Sequence, residues 1–213
     1  MQQELSLETS RRPGGRSARV RDAVRQATLD ELVAHGFAGL TVENVAQRSG
    51  VHKTTVYRRW RDAAGLVTDA LELAADEPWP LPDTGAFGTD LRALTALLHT
   101  GFADPAAGPV ATAFVTAALQ STEAAEALRE FYRARHRQCA VIVARAVERG
   151  ELSAEIDAEA VIRQALAPVF HRLLITHEPV DEAFTRRAAD IAAAAARAGL
   201  LDRESGATAD HCV

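Results

Sequence analysis

Alanine fills 44 of the 213 positions, while aromatic residues make up only 5%. Alanine loses no side-chain entropy in a helix and offers little for a pleated surface to pack against, so it favours helices and disfavours strands. Val, Ile and Thr rarely alternate with polar residues here, as a half-buried strand would require. An all-α chain is therefore expected. With 47% apolar and 25% charged residues it can build one large or two small cores, which excludes disordered, collagenous and small disulfide-stapled classes. Cys139 and Cys212 lie far apart and outside any metal-ligand spacing, so no disulfide, metal or cofactor is expected. The start carries no apolar run of signal length, and the longest apolar runs elsewhere are about six residues. The expectation is a cytoplasmic protein with no membrane anchor.

Charge divides the chain more sharply than its net value of −5 suggests. Up to Arg61 there are eleven basic and six acidic residues, and after it thirteen basic and twenty-three acidic. A basic head on an acidic body suggests that one part meets a polyanion. Of the 24 basic residues 23 are arginine, a preference best explained by codon bias, which leaves Lys53 as the single exception.

Residues 1–16 end in Arg11-Arg12-Pro13-Gly14-Gly15-Arg16 and read as a flexible basic arm. Ser17 is placed to cap a helix to about His35, with Gly36 as its stop. Thr41 caps a second helix ending at Ser49 and Gly50, a third covers about His52 to Arg59, and Asp62 caps a fourth that fades by Asp76. The run Pro78-Trp79-Pro80-Leu81-Pro82 lies in a linker over 76–87 that separates the head, 17–75, from a body over 88–200. Body helices are expected at about 88–102, 107–119, 122–149, 157–176 and 181–198, with stops or caps at Thr122, Gly150, Asp157, Pro179, Asp181 and Gly199. From Ala198 on, through 201–213, a frayed tail is expected.

The second and third helices meet at one glycine in the pattern Ala46-x3-Gly50-Val51-x4-Val56, a helix-turn-helix. Ala46 must be small where the helices cross, Gly50 can take the positive φ of the turn, and Val45, Val51 and Val56 bury the inner faces. An ordinary helical hairpin could share these residues. The outer face of the third helix argues otherwise: His52, Lys53, Thr54, Thr55, Tyr57 and Arg58 offer cations, hydroxyls and a phenol, with no acidic residue from Gly50 to Arg61. Phosphates and base edges call for such donors. Thr41 adds a hydroxyl and a helix N-terminus.

The combination Thr41-Val42-x2-Val45-Ala46-x3-Gly50-Val51-x-Lys53-x-Thr55-Val56-Tyr57-x2-Trp60, preceded by Gly36-Phe37, resembles the N-terminal domain of TetR-family transcriptional regulators over about residues 17–75. Further on, only length, helical content and a Gly150-Glu151-Leu152 turn before two closing helices match. The resemblance implies an N-terminal three-helix helix-turn-helix DNA-binding domain and a C-terminal helical ligand-binding and dimerisation domain. It implies that Thr41 and Tyr57 hold phosphates, that Lys53 and Thr54 approach base edges or phosphates, and that Thr55 touches the backbone. Tyr57 can alternatively pack on the first helix, and Trp60, replacing the usual phenylalanine, reads as core. His52 departs from a small hydroxyl cap, Arg61-Asp62 from a proline or serine start, and Ala63 from a phosphate-binding cation, for which Arg58, Arg59 or Arg61 can substitute. Arg11, Arg12 and Arg16 either reach a minor groove or remain solvated.

A two-turn reading helix contacts few base pairs, so two heads on a palindromic double-stranded operator, and hence a homodimer, are expected. Apolar stripes at Ile162, Leu166, Val169 and Leu173 and at Phe184, Ala188, Ile191 and Ala195 are the candidate dimer faces, unless they bury against their own chain. The Ala192–Ala196 run would let helices approach closely. The resemblance further implies a repressor released by a small effector, though an activator needs the same parts. Candidate cavity liners are Phe102, Phe114, Gln120, Tyr132, His136, Cys139, Phe170 and His171, which would suit a hydrophobic or aromatic molecule; ordinary core is the alternative. Pro168 is placed to kink its helix beside Phe170-His171. A helical-bundle enzyme lacks any Glu-x-x-His pair, His-Glu-x-x-His, phosphate loop or dinucleotide fingerprint here, and a protein-interaction adaptor would not need the intact donors at 52–58.

Overall fold

A computed structural model describes residues 15–203, and among them nine α-helices and one π-helical turn make up the named elements. Helix α1 spans Gly15–Gly39, α2 Val42–Ser49, α3 Lys53–Trp60 and α4 Ala63–Asp76. In the body, α5 spans Phe87–Ala103, α6 Ala107–Ala118, α7 Thr122–Glu148, α8 Ala158–His171 and α9 Glu182–Arg197.

Short polar side chains start four of these helices as expected. Thr41 Oγ1 accepts the Asn44 N–H at 3.2 Å, Asp62 Oδ1 the Gly65 N–H at 3.0 Å, Asp157 Oδ1 the Ala160 N–H at 2.9 Å and Asp181 Oδ1 the Phe184 N–H at 2.7 Å. Two starts differ from expectation. Ser121, not Thr122, caps α7 by accepting the Ala124 N–H at 3.2 Å. Ser17 is no cap, because α1 already begins at Gly15; the rest of the expected arm, with Arg11 and Arg12, lies outside the described residues, as does the Arg16 side chain. Helix α1 breaks at Gly36 and takes one further turn to Gly39.

The head is fixed by two tight turns. Gly50 has φ 68°, the left-handed state that ends α2 and aims α3 across it. Between α3 and α4, Arg61 has φ 60° and ψ −60°, and the Asp62 N–H donates to the Trp60 carbonyl at 2.7 Å. This is a γ-turn of the strained, positive-φ kind, held in place by close packing. Gly65 supplies that packing: a Cβ there would lie 2.1 Å from the Trp60 carbonyl oxygen. Ion pairs bind the head together, Arg21 to Asp69 at 2.9 Å, Arg25 to Glu77 at 2.6 Å, and Arg48 to the buried Glu31 at 2.6 Å.

Two apolar cores form, and the first is built from both sides of the proline-rich linker. Val24, Leu32, Val45, Val56, Trp60, Leu66 and Leu71 pack with Phe114, Ala117 and Ala124 of the body. Phe114 is thus part of the head's core and lines neither of the two chambers in the body, because α6 lies against α1. The second core joins Phe87, Leu91 and Leu94 to Ile142 and Val143, Val161, Ile162, Leu166 and Val169, and five alanines of α9. Those alanines, Ala188, Ala189, Ala192, Ala193 and Ala196, form the buried side of α9 together with Thr185. Ile162, Leu166, Val169 and Ala188, expected to face a second copy, are therefore buried within their own chain, and the small-residue stripe brings α9 close to α5 and α8 of the same molecule.

The segment joining the units is pinned rather than loose. Arg135 of α7 donates to the carbonyls of Ala74 and Glu77, each at 2.6 Å, and Gln138 Nε2 donates to Ala75 O at 3.1 Å. Three carbonyls at the end of α4 are thereby satisfied by α7, where a helix commonly relies on a glycine or its own last-turn cation. The Arg135 guanidinium also lies 5.5 Å from the Trp79 ring centroid and 5.2 Å from that of Phe131. Glu151, in the turn after α7, accepts the Phe87 N–H at 3.0 Å and so caps α5, which has no side-chain cap of its own. The expected fraying from Ala198 is not found as far as Arg203: Leu201 O accepts the Asp157 N–H and Arg203 N–H donates to Glu155 O, both at 2.8 Å. Residues beyond Arg203 lie outside the described ones.

Arg135→Ala would remove the side-chain donors to Ala74 O and Glu77 O and uncover two rings, and is expected to cost about 2–4 kcal/mol. An unchanged urea midpoint would refute the clamp.

Candidate nucleic-acid interface and cavity

Helix α3 turns Val56 and Trp60 into the core. Trp60 is 3% exposed, consistent with a packing role, and Arg59 lies over its ring at 5.0 Å. The opposite side carries His52, Lys53, Thr54, Tyr57 and Arg58, all exposed, with Thr55 half-buried and Thr41 exposed at the start of α2. His52 gives α3 no side-chain cap; its Nδ1 instead meets Thr54 Oγ1 at 2.9 Å. A groove of about 1010 Å³ runs between the start of α1 and α3, bounded by Ser17, Val51, His52, Thr55, Arg58 and Arg59. Ser17 was not expected there; its hydroxyl meets Arg59 at 3.4 Å.

One acidic group intrudes on this donor face. Tyr57 donates its phenolic O–H to Glu43 Oε1 at 2.6 Å. That bond holds the Glu43 carboxyl below the usual carboxylate range, and raises the Tyr57 hydroxyl above the usual phenol range. Glu43 sits on the first turn of α2, where negative charge favours the helix. The stretch free of acids from Gly50 to Arg61 hid it, because it comes from the other helix.

In the body, an inner chamber of about 240 Å³ and an outer one of about 620 Å³ share Tyr132, His136, Leu166 and Phe170 as a partition. Phe102 and Cys139 line the inner chamber together with Trp79, Phe131 and Arg135. The aromatic walls meet edge to face, Phe102 on Phe170 at 5.8 Å and Tyr132 on Phe170 at 5.4 Å, while the Tyr132 and His136 rings stack at 6.2 Å. Burial pushes the Tyr132 phenol up to about 12 and the Cys139 thiol up to about 11, and lowers His136. All three are neutral at pH 7. His171 and Gln120 are exposed and line neither chamber, contrary to expectation: the turn of α8 that brings Phe170 inward points its neighbour out, and Gln120 lies beyond the end of α6. Pro168 is accommodated within α8, which widens into a π-helical turn over Arg172–Thr176.

Of the expected dimer residues, Leu173 and Phe184 pack partly on the body's core, Phe184 under the Arg172 guanidinium at 3.8 Å. Ile191 is 57% exposed, and Ala195 is half-buried. The outward side of α8 and the turn after it carries Gln164, Ala167, His171 and Ile175, and that of α9 carries Ala183, Arg187, Ile191 and Ala194. No group of three or more His, Cys, Asp or Glu able to hold a metal occurs among the described residues, and no helix there is long and apolar enough to cross a membrane.

Two family models match the chain. The one described as "Bacterial regulatory proteins, tetR family" covers residues 24–70, and "Tetracyclin repressor-like, C-terminal domain" covers residues 81–192. The uncharacterized HTH-type transcriptional regulator YdeS of Bacillus subtilis is 30% identical over 83% of this chain and 89% of its own length. The DNA-binding transcriptional repressor TetR of Mycobacteroides abscessus is 30% identical over 79% of this chain and 88% of its own. Among solved structures, the TetR family transcription regulator SCO0332 superposes with a TM-score of 0.61 and 32% identity, covering 86% of this chain and 97% of that one. Matched in both its head and its body, the chain belongs to the TetR family, as a DNA-binding transcriptional regulator and not an enzyme.

Proposed function

We propose that this regulator is a homodimeric, cytoplasmic repressor that holds a palindromic operator through its α3 helices and releases it when a small apolar or aromatic molecule fills the body cavity. The donor face of α3 carries the DNA half of this reading, with a relative described as a repressor in support of the sign. In it, Lys53, Thr54 and His52 approach base edges, while Thr41, Thr55, Tyr57 and Arg58 hold phosphates, and residues 17–75 form the reading unit on a body over 88–200. Arg59 stands in for the cation that Ala63 does not provide.

The second copy docks on the outward side of the last two helices, shifted by about one position from the stripes read in the sequence. Ile175 and Ile191, 69% and 57% exposed, are the apolar centre of that side, with Ala167 and Ala194 small enough for helices to approach closely. Effector release follows from a shared wall: Arg135, lying against Trp79, bounds the inner chamber and also holds the end of α4, the helix that follows α3. A molecule wedged against them shifts α4, and with it the spacing of the two heads.

Lys53→Ala is expected to weaken operator binding by on the order of tenfold and to lower the slope of log affinity against log salt by about one. A gel-shift series on the chain's own upstream region reads both, and unchanged affinity with no salt dependence would sink the DNA reading. Glu43→Ala removes both the negative charge and the acceptor that holds the Tyr57 hydroxyl, so affinity should rise by roughly three- to tenfold at low salt; a fall would show that Glu43 instead positions Tyr57 productively. Ile191→Asp should convert the dimer to monomer in sedimentation, with loss of operator binding; an intact dimer would place the interface elsewhere.

A further inference from the structure

The inner chamber contains one formal charge and no wall group to balance it. Tyr132, His136 and Cys139 are neutral there, as argued above. Arg135 is only 9% exposed, yet its hydrogen bonds go to uncharged oxygens: the carbonyls of Ala74 and Glu77 at 2.6 Å and Gln138 Oε1 at 2.9 Å. The Glu77 carboxylate, whose charge favours the guanidinium, is itself held by Arg25 at 2.6 Å. Desolvation is the largest influence on the guanidinium and works against its charge. Buried cations are ordinarily paired with an anion. Here the negative end of the α4 dipole and two ring faces substitute for one. Three of the five guanidinium hydrogens are used, leaving Nε–H and one hydrogen on Nη2 without a partner among the described residues. Those donors can take a carboxylate.

The remaining walls set the shape of what would bring that carboxylate. Trp79, Phe102, Phe131 and Phe170 surround the space with ring faces and edges, which a planar apolar body fills. A volume of about 240 Å³ exceeds the roughly 150 Å³ that suffices for benzene and limits the body to one or two rings. We propose that the inner chamber takes an aromatic acid, one or two rings bearing a single carboxylate, with that carboxylate on the spare donors of Arg135. This rests on the reading of the cavity as an effector site and adds the charge and size of the effector. It also gives the release a chemical cause: a carboxylate on Arg135 draws the guanidinium away from the Ala74 and Glu77 oxygens, and the last turn of α4 loosens.

Matched pairs test this on the full-length protein by calorimetry: 1-naphthoate against 1-naphthamide, and benzoate against benzamide. The acid should bind about tenfold or more tightly than its amide, the margin expected of a charge-assisted over a neutral hydrogen-bonded contact. Arg135→Gln should bring the ratio close to one in a variant whose circular dichroism shows it folded; if that variant does not fold, the ratio on the unaltered protein decides. Hydrogen exchange of the peptide covering 70–78 should quicken with 1-naphthoate and not with 1-naphthamide. An amide that binds as well as its acid, a preference that survives in folded Arg135→Gln, or exchange at 70–78 unmoved by bound naphthoate overturns the acid assignment while leaving the cavity as a ligand site. Absence of binding by acids and amides alike at millimolar concentration overturns both.

Discussion

The end of helix α4 is held from outside its own sequence, by the Arg135 guanidinium and the Gln138 amide of α7. A helix that stops in extended backbone, with no glycine and no basic residue in its last turn, leaves carbonyls for something else to satisfy, and Arg135 and Gln138 of α7 do so. That arrangement places the head on the body, brings Trp79 over the guanidinium and turns the proline-rich segment from a hinge into a wall of the cavity. It is reinforced from the head side, where Arg25 holds the Glu77 carboxylate at the same point. Between Arg135 and the helix-turn-helix lie only α4 and the tight turn at Arg61.

The exposed side of α3 proposed to meet DNA is less charged than a count of residues implies. Arg21, Arg25 and Arg48 are committed to Asp69, Glu77 and Glu31, so they stabilise the head rather than attract phosphate. Lys53, Arg58 and Arg59 carry the face, and Glu43 offsets part of it through Tyr57. Among the described residues the proposed reading surface therefore owes its form to geometry as well as charge, and the strained turn at Arg61, buttressed by Gly65, sets that geometry.

Local rules made much of this legible in the sequence. The helix starts at Thr41, Asp62, Asp157 and Asp181, the turn at Gly50 and the buried side of α3 each follow from a few neighbouring residues, and the structure has them where those residues imply. What depends on tertiary neighbours was not legible. The stripe Ile162, Leu166 and Val169 is equally consistent with a partner helix and with its own core, because periodicity states that a side is buried and not against what. Phe114 carried no mark distinguishing a cavity wall from the packing of α6 on α1. Arg135 was hidden among 23 arginines, and Glu43 lay one helix away from the face it modifies. The one available hint for the clamp was Trp79, a large ring placed among prolines with nothing local to pack against.

The alanine-lined side of α9 has a consequence for how the body can move. Alanine has no side-chain torsion to adjust, so the contact of α9 with α5 and α8 cannot yield by exchanging rotamers as a leucine-rich seam can. A displacement there has to be taken up by movement of whole helices rather than by side-chain rearrangement, while larger, more adaptable side chains line the chambers. A chain whose composition began as a helix-forming bias thus ends with its compliance partitioned, soft where a ligand would enter and unyielding along the helices behind it.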